Sequence, residues 1–249
     1  MRMFNHIRIV LVETSHSGNI GSAARAMKTM GLSQLYLVSP KAVDEQSIAL
    51  SAGAEDIVRA AHIVSEFDEA IADCSLVIGT SARLRHLQNT LIELRECGEK
   101  VAMQEGNIAI VFGRERVGLH NDELLKCHYH LTIPANPDYS SLNLAMAVQL
   151  VCYELRMAFL TQKNNIAPLS LIGEINNSEN RQATAQEMEY FFAHTERVYQ
   201  TLGFIQNQGV MQKLRRLYLR SKPEKNELNI LRGMLSAVEK HLNLTKSDS

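Results

Sequence analysis

The stretch "IRIVLVETSHSGNIGSAARAMKTMGL", residues 7–32, decides the fold class. Its first seven residues form a near-continuous β-branched and aliphatic run, the mark of a strand buried on both faces. A polar loop bearing Gly18 follows, then a helix that ends at Gly31, and then "LYLVS" (35–39) as the next strand. The loop suggests a nucleotide phosphate cradle. It offers only Gly18-x-x-Gly21, however, without the third glycine of a dinucleotide fingerprint, and no Walker pattern is present. Arg25 reads as lying in the first turn of the helix, where the positive end of the dipole disfavours a cation by a few tenths of a kcal/mol.

Outward from this unit, "AHIVS" (61–65), "SLVIGT" (75–80), "IAIVFG" (108–113) and "YHLTIPA" (129–135) are strand candidates, with helical patterns around 44–52, 67–73 and 121–126. Such alternation means an α/β domain whose parallel sheet carries helices on both faces. Ligands then bind in loops beyond the carboxyl ends of the strands. "SLNLAMAVQLVCYELRMAF" (141–159) reads as a long helix, apolar nearly all round, for a core or a subunit interface. The polar stretch 161–184 has weak periodicity and reads as a linker.

Three helical patterns end the chain. The first carries Met188, Phe191, Phe192 and Val198 on one face and stops at Gly203. The second sets Val210, Leu214, Leu217 and Tyr218 against Lys213, Arg215, Arg216 and Arg220. The third opens on a capping-box pattern from Ser221 to Glu224. The expected organisation is an α/β domain over 1–160, a linker over 161–183 and a small α-helical domain over 184–249.

The 249 residues carry a net charge of −1, so the overall balance does not announce a nucleic-acid binder. Residues 1–161 hold 14 Lys/Arg against 18 Asp/Glu, and residues 162–249 hold 12 against 9, so the tail is mildly basic. Cys74, Cys97, Cys127 and Cys152 fit neither a zinc ribbon nor a disulfide framework, and point to reduced thiols. No apolar run reaches the roughly 18–20 residues of a membrane span, and no signal-peptide pattern opens the chain. The expectation is a cytoplasmic protein without a membrane partner.

Three further loops can carry chemistry. In "FGRERVGL" (112–119), Gly113 and Gly118 bracket Arg114, Glu115 and Arg116, ahead of a helix that Asn121 is expected to cap. In "IPANPDYSSLN" (133–143), two prolines stiffen a loop, and Ser140 or Ser141 meets the N-terminus of the long helix as a cap, as a ligand site, or as both. "GTSAR" (79–83) ends another strand in small residues. "CHYH" (127–130) puts two histidines on one strand face without matching ligands elsewhere, so no metal is expected. No G-x-S-x-G elbow appears.

Taken together, "GNIGSAAR", "FGRERVGL" and "IPANPDYSSLN", in this order and spacing, resemble the three motifs of the SPOUT-type RNA 2′-O-ribose methyltransferases, with a match over residues 7–160 and a compatible helical tail. The resemblance implies an α/β SPOUT domain with a C-terminal trefoil knot, which binds S-adenosylmethionine without a metal and works as a homodimer with active sites at the interface. Donor contacts would come from Thr80, Ser81, Ala82, Gly113, Ile133, Ser140, Ser141 and Leu142. Asn19, Arg25, Glu115, Ser141 and Asn143 match the catalytic positions, with Arg25 serving the partner subunit's site. Where many relatives carry Asn-Pro before Gly-Asn, this chain has His16-Ser17.

The implied substrate is tRNA, methylated on a cytidine or uridine ribose at anticodon-loop position 32. Arg25, Arg83, Arg85 and Arg114 would meet phosphates, and Lys213, Arg215, Arg216 and Arg220 of the tail would add an electrostatic grip. An arginine stays protonated in proteins, so the expected part of Arg25 is to fork onto the target phosphate and stabilise the developing 2′-oxyanion. An enzyme of this fold acting on another RNA site, and a knotted RNA-binding protein without catalysis, are the alternatives.

Overall fold

The computed structural model describes residues 4–81, 90–165 and 181–247. The chain divides into two compact units, Met1–Gly173 and Glu174–Ser249.

The first unit is built on β1 (Ile7–Val12), whose six residues are all buried. It is followed by α1 (Ser17–Met30), β2 (Gln34–Val38), α2 (Glu45–Ser51), α3 (Glu55–Arg59), β3 (His62–Val64), α4 (Phe67–Ile71) and β4 (Cys74–Thr80). Then come β5 (Leu91–Glu93), α5 (Leu94–Ala102), β6 (Asn107–Phe112), α6 (Asn121–Leu125), β7 (Tyr129–Thr132) and α7 (Leu144–Asn165). The seven strands form one sheet in the order β3-β2-β1-β6-β4-β7-β5, and every pair is parallel. The strand-helix alternation therefore gives the expected α/β architecture. Ile7, Ile9 and Leu11 join the core under α1 and α7. Arg8, pointing the other way by the two-residue period of a strand, donates to the Ala70 carbonyl and to both oxygens of Asp73.

Several elements differ from the sequence pattern. β5 and α3 are too short to show as periodic segments, and α5, although amphipathic, is nine residues long and rich in charge. β7 ends at Thr132 rather than Ala135, because Pro134 has no N–H to continue the ladder. α6 begins at Asn121, so this residue lies inside the helix and His120 precedes it as the cap position. α7 starts at Leu144, and Asn143 caps it by accepting from the amides of Ala145 and Met146 at 2.9 and 3.4 Å. The cap is thus neither Ser140 nor Ser141. α7 also extends past 160 to Asn165. It buries Leu144, Val148, Val151, Cys152 and Leu155, but leaves Met146, Leu150, Tyr153 and Met157 exposed, so it is not enclosed all round. By length and composition alone Leu144–Gln162 would pass for a membrane span, yet it packs on α1 and α5 of the sheet domain.

The second unit holds α8 (Ala185–Thr201), α9 (Gln208–Ser221) and α10 (Lys225–Ser247). They enclose their own core of Met188, Phe191, Phe192, Met211, Leu219 and Leu228. The Ser221–Glu224 pattern is not a capping box here. Ser221 closes α9, its hydroxyl donating to Tyr218, while the Glu224 amide donates to the Glu227 carboxylate at the start of α10.

Candidate active site

A cavity of about 210 Å³ opens beyond the carboxyl ends of β4, β6 and β7. Its walls come from Thr80 and Ser81, from the turn 113–118 and from the loop that leads into α7. The turn folds back tightly: Gly118 donates to the Arg114 carbonyl at 2.8 Å, and Arg114 to that of Gly118 at 3.3 Å. A Cβ on Gly113 would lie 2.2 Å from both the Gly118 carbonyl carbon and the Leu119 nitrogen. Only glycine therefore lets β6 end in this cradle.

Of the expected donor-site residues, Thr80, Ser81, Gly113, Ile133, Ser140, Ser141 and Leu142 all line this one cavity. Ala82, Arg83 and Arg85 lie outside the described residues. Phe112, Leu119, Leu131 and Leu144 add apolar wall. Sequence reasoning passed over them because apolar residues at strand ends and helix starts look like core.

Beside the cavity, the three motifs meet in one hydrogen-bond network. The Glu115 carboxylate accepts from the Ser15 amide at 3.1 and 3.2 Å and from the Ser15 hydroxyl at 2.9 Å. It also accepts from the His16 amide at 3.2 Å and from Asn19 Nδ2 at 3.1 Å. Asn143 Nδ2 in turn donates to Asn19 Oδ1 at 3.0 Å. Burial alone would raise the pKa of Glu115, but the bonds from Ser15, its own backbone and Asn19 outweigh it and hold the value down to about 2 from the usual 4.5. Glu115 is therefore a fixed anion at the entrance of α1, where the dipole also favours negative charge.

Arg25 stands differently from its sequence reading. With α1 starting at Ser17 it is the ninth residue of the helix, beyond the reach of the terminal dipole, and the supposed cost of its position disappears. It is exposed, does not line the cavity, and has no hydrogen-bond or ion-pair partner among the described residues. The glycines of this motif serve the fold. A Cβ on Gly21 would lie 2.0 Å from the Ser47 carbonyl oxygen of α2, and one on Gly18 would lie 2.6 Å from Leu50. They admit α2, so the nucleotide-cradle reading fails for a structural reason.

The remaining basic candidates separate into committed and exposed ones. Arg114 is clasped by Glu13 and Glu123, with its side chain 13% exposed. Arg215 pairs with Glu189 at 2.5 Å, its guanidinium 4.5 Å over the Phe192 ring. Lys213 and Arg220 are exposed, and Arg216 is half-buried. His128 and His130 are buried, with Nδ1 of the former accepting from the Val77 amide and Nε2 of the latter against the Leu124 carbonyl. No cluster of three His, Cys, Asp or Glu suited to a metal occurs among the described residues.

Comparison with known proteins agrees with this geometry. Residues 6–153 match the SpoU rRNA Methylase family, and residues 186–247 match the C-terminal domain of tRNA methyltransferase TrmJ. The chain is 74% identical over 247 residues to an "uncharacterized tRNA/rRNA methyltransferase" of Haemophilus influenzae, covering 99% of this chain and 100% of that one. It is 55% identical over 244 residues to the tRNA (cytidine/uridine-2′-O-)-methyltransferase TrmJ of Yersinia enterocolitica, covering 96% and 93%. The solved TrmJ of Z. mobilis superposes with a TM-score of 0.79 at 30% identity, over 93% of this chain and 98% of that one.

Proposed function

The chain belongs to the SpoU rRNA methylase family, and from that premise we propose that it is a tRNA ribose 2′-O-methyltransferase with S-adenosylmethionine as methyl donor. The observation that carries this reading is the Asn19–Glu115–Asn143 network. It joins all three motifs beside a cavity that the expected donor-site residues line together.

These residues fit the donor. Gly113 lets the turn 113–118 fold back to form the cavity wall, Phe112, Leu119 and Leu131 give that wall apolar surface for a nucleoside, and Thr80, Ser81, Ser140 and Ser141 give polar groups. When bound, S-adenosylmethionine supplies an electrophilic sulfonium methyl. Glu115, ionised and saturated with donors, fixes the mouth of the site and is no proton acceptor near neutrality. Asn143 joins the start of α7 to that anchor through Asn19, and keeps Ser141 at the cavity. Arg25 forks onto the target phosphate and stabilises the developing 2′-oxyanion.

The target is position 32 of the anticodon loop, and the working form is a homodimer in the cytoplasm. Met146, Leu150, Tyr153 and Met157 support the dimer: they are 62%, 39%, 46% and 39% exposed and recur along one face of α7. In such a dimer Arg25 serves the partner subunit's site, a role to which an exposed arginine that does not line its own cavity is suited. The C-terminal part of the domain follows the family's trefoil knot, with domain limits of 1–160 and 184–249 around the linker. Exposed Lys213 and Arg220 form the tail's grip on RNA, whereas Arg215 is held by Glu189.

The test is methyl transfer from labelled donor to unmodified tRNA, with mapping of the modified ribose and a 2′-deoxy control. Absence of a 2′-O-methyl group overturns the reading, and a mark outside the anticodon loop moves only the target.

A further inference from the structure

The turn 113–118 holds two arginines one residue either side of Glu115, and the structure gives them opposite surroundings. Arg114 Nη1 donates to Glu123 Oε2 at 3.0 Å and faces the Gly118 carbonyl at 3.4 Å. Its Nη2 donates to Glu123 Oε1 at 3.0 Å and to Glu13 Oε1. Its Nε is buried without a partner among the described residues. Each nitrogen of this guanidinium is thus committed within the protein or shut off from solvent.

The clasp is built with some care for geometry. Glu123 is held from behind by the His120 amide at 2.6 Å, and its side chain is 9% exposed. Glu13 adopts a φ of +46°, a strained conformation for a residue with a Cβ, while its amide donates to the Val38 carbonyl at 2.8 Å. That bend directs the carboxylate from the end of β1 to Arg114. Arg114 and Glu115 therefore grip the same segment, 13–19, the first through Glu13 and the second through Ser15, His16 and Asn19.

Arg116 has none of this. It is exposed at the tip of the turn, lines the cavity, and has no hydrogen-bond or ion-pair partner among the described residues. Glu13 and Glu123 both pair with Arg114, and Glu115 lines the cavity beside it, so the charge of Arg114 is already more than balanced and an approaching RNA phosphate needs a further cation. Among the described residues that line the cavity, Arg116 is the one uncommitted cation.

We propose that Arg116, and not Arg114, is this loop's contact to the RNA backbone, while Glu13 and Glu123 hold Arg114 as a positioning residue for Glu115. The inference rests on the RNA-methyltransferase reading above.

The test measures tRNA binding against salt, together with kcat and KM, for the full-length parent and for Arg116→Gln, Glu13→Gln and Glu123→Gln. Arg116→Gln is expected to weaken tRNA binding roughly tenfold, the scale of one charge-assisted contact. It should also make the slope of log K against log salt shallower by about 0.7–0.9, one phosphate contact fewer. Glu13→Gln and Glu123→Gln are expected to lower kcat while leaving the KM for tRNA and the salt slope unchanged. Glu13 is half-exposed, so its variant folds even if loss of the more buried Glu123 does not permit folding. An Arg116→Gln protein that binds tRNA with the parent's affinity and slope overturns the proposal, and so does a changed slope in Glu13→Gln. A parent that binds no tRNA overturns the functional reading, and this inference with it.

Discussion

Arg25 and Glu115 carry opposite charges and opposite degrees of commitment. Glu115 accepts from four groups of the segment 15–19, whereas Arg25 is exposed without a partner among the described residues. A guanidinium kept free offers two parallel N–H groups to a phosphate, and an ammonium does not. Arg25→Lys should therefore lower kcat by about 10²–10³-fold, the usual loss of an oxyanion donor, and near-normal turnover in a methyl-transfer assay would remove the fork. For Glu115 the folded pKa of about 2 lies below its usual 4.5. Its stabilising contribution is complete above pH 4.5, and is lost as the pH falls from there through about 2. Denaturation at a series of pH values should show Glu115→Gln losing less stability than the parent across that window. Parallel acid limbs would count against the anchor.

At the level of elements, α1 is placed by what its glycines omit. Gly21 faces the Ser47 carbonyl so closely that any Cβ would sit 2.0 Å from its oxygen. Alanine gains roughly 0.5–1 kcal/mol of helix propensity over glycine. Against that, forcing a methyl into backbone contact costs about 1–3 kcal/mol and displaces one helix. The clash should win, so Gly21→Ala is expected to lower the thermal midpoint. A midpoint at or above the parent's would show that α2 can move aside. The same element shows why the dipole puzzle dissolves: α1 begins at Ser17, two turns before Arg25, because His16 is extended, with its amide and that of Ser15 donating to Glu115.

For the whole molecule, the informative surface is the outer face of α7. In one chain it leaves Met146, Leu150, Tyr153 and Met157 open to water, and an apolar stripe of this kind on a helix marks an interaction surface. Leu150→Glu combined with Tyr153→Glu should leave the monomer folded, since both residues are already solvated. In sedimentation equilibrium the variant should run at half the parent's mass and lose methyl transfer with it. A parent that is itself monomeric would end the dimer proposal. The sequence by itself determined the parallel α/β domain, the helical tail and the loops that matter, because strand-helix periodicity and small residues at strand ends are local properties. It also placed Thr80, Gly113 and Ser141 in one candidate site, but only through the resemblance of three motifs taken together. Which residue caps α7, where α1 starts, and what Gly21 is for were decided by the tertiary structure. So was the division between Arg114 and Arg116. These depend on partners as remote as Glu13 and Asn143, and no local pattern shows which charge meets which across the folded chain.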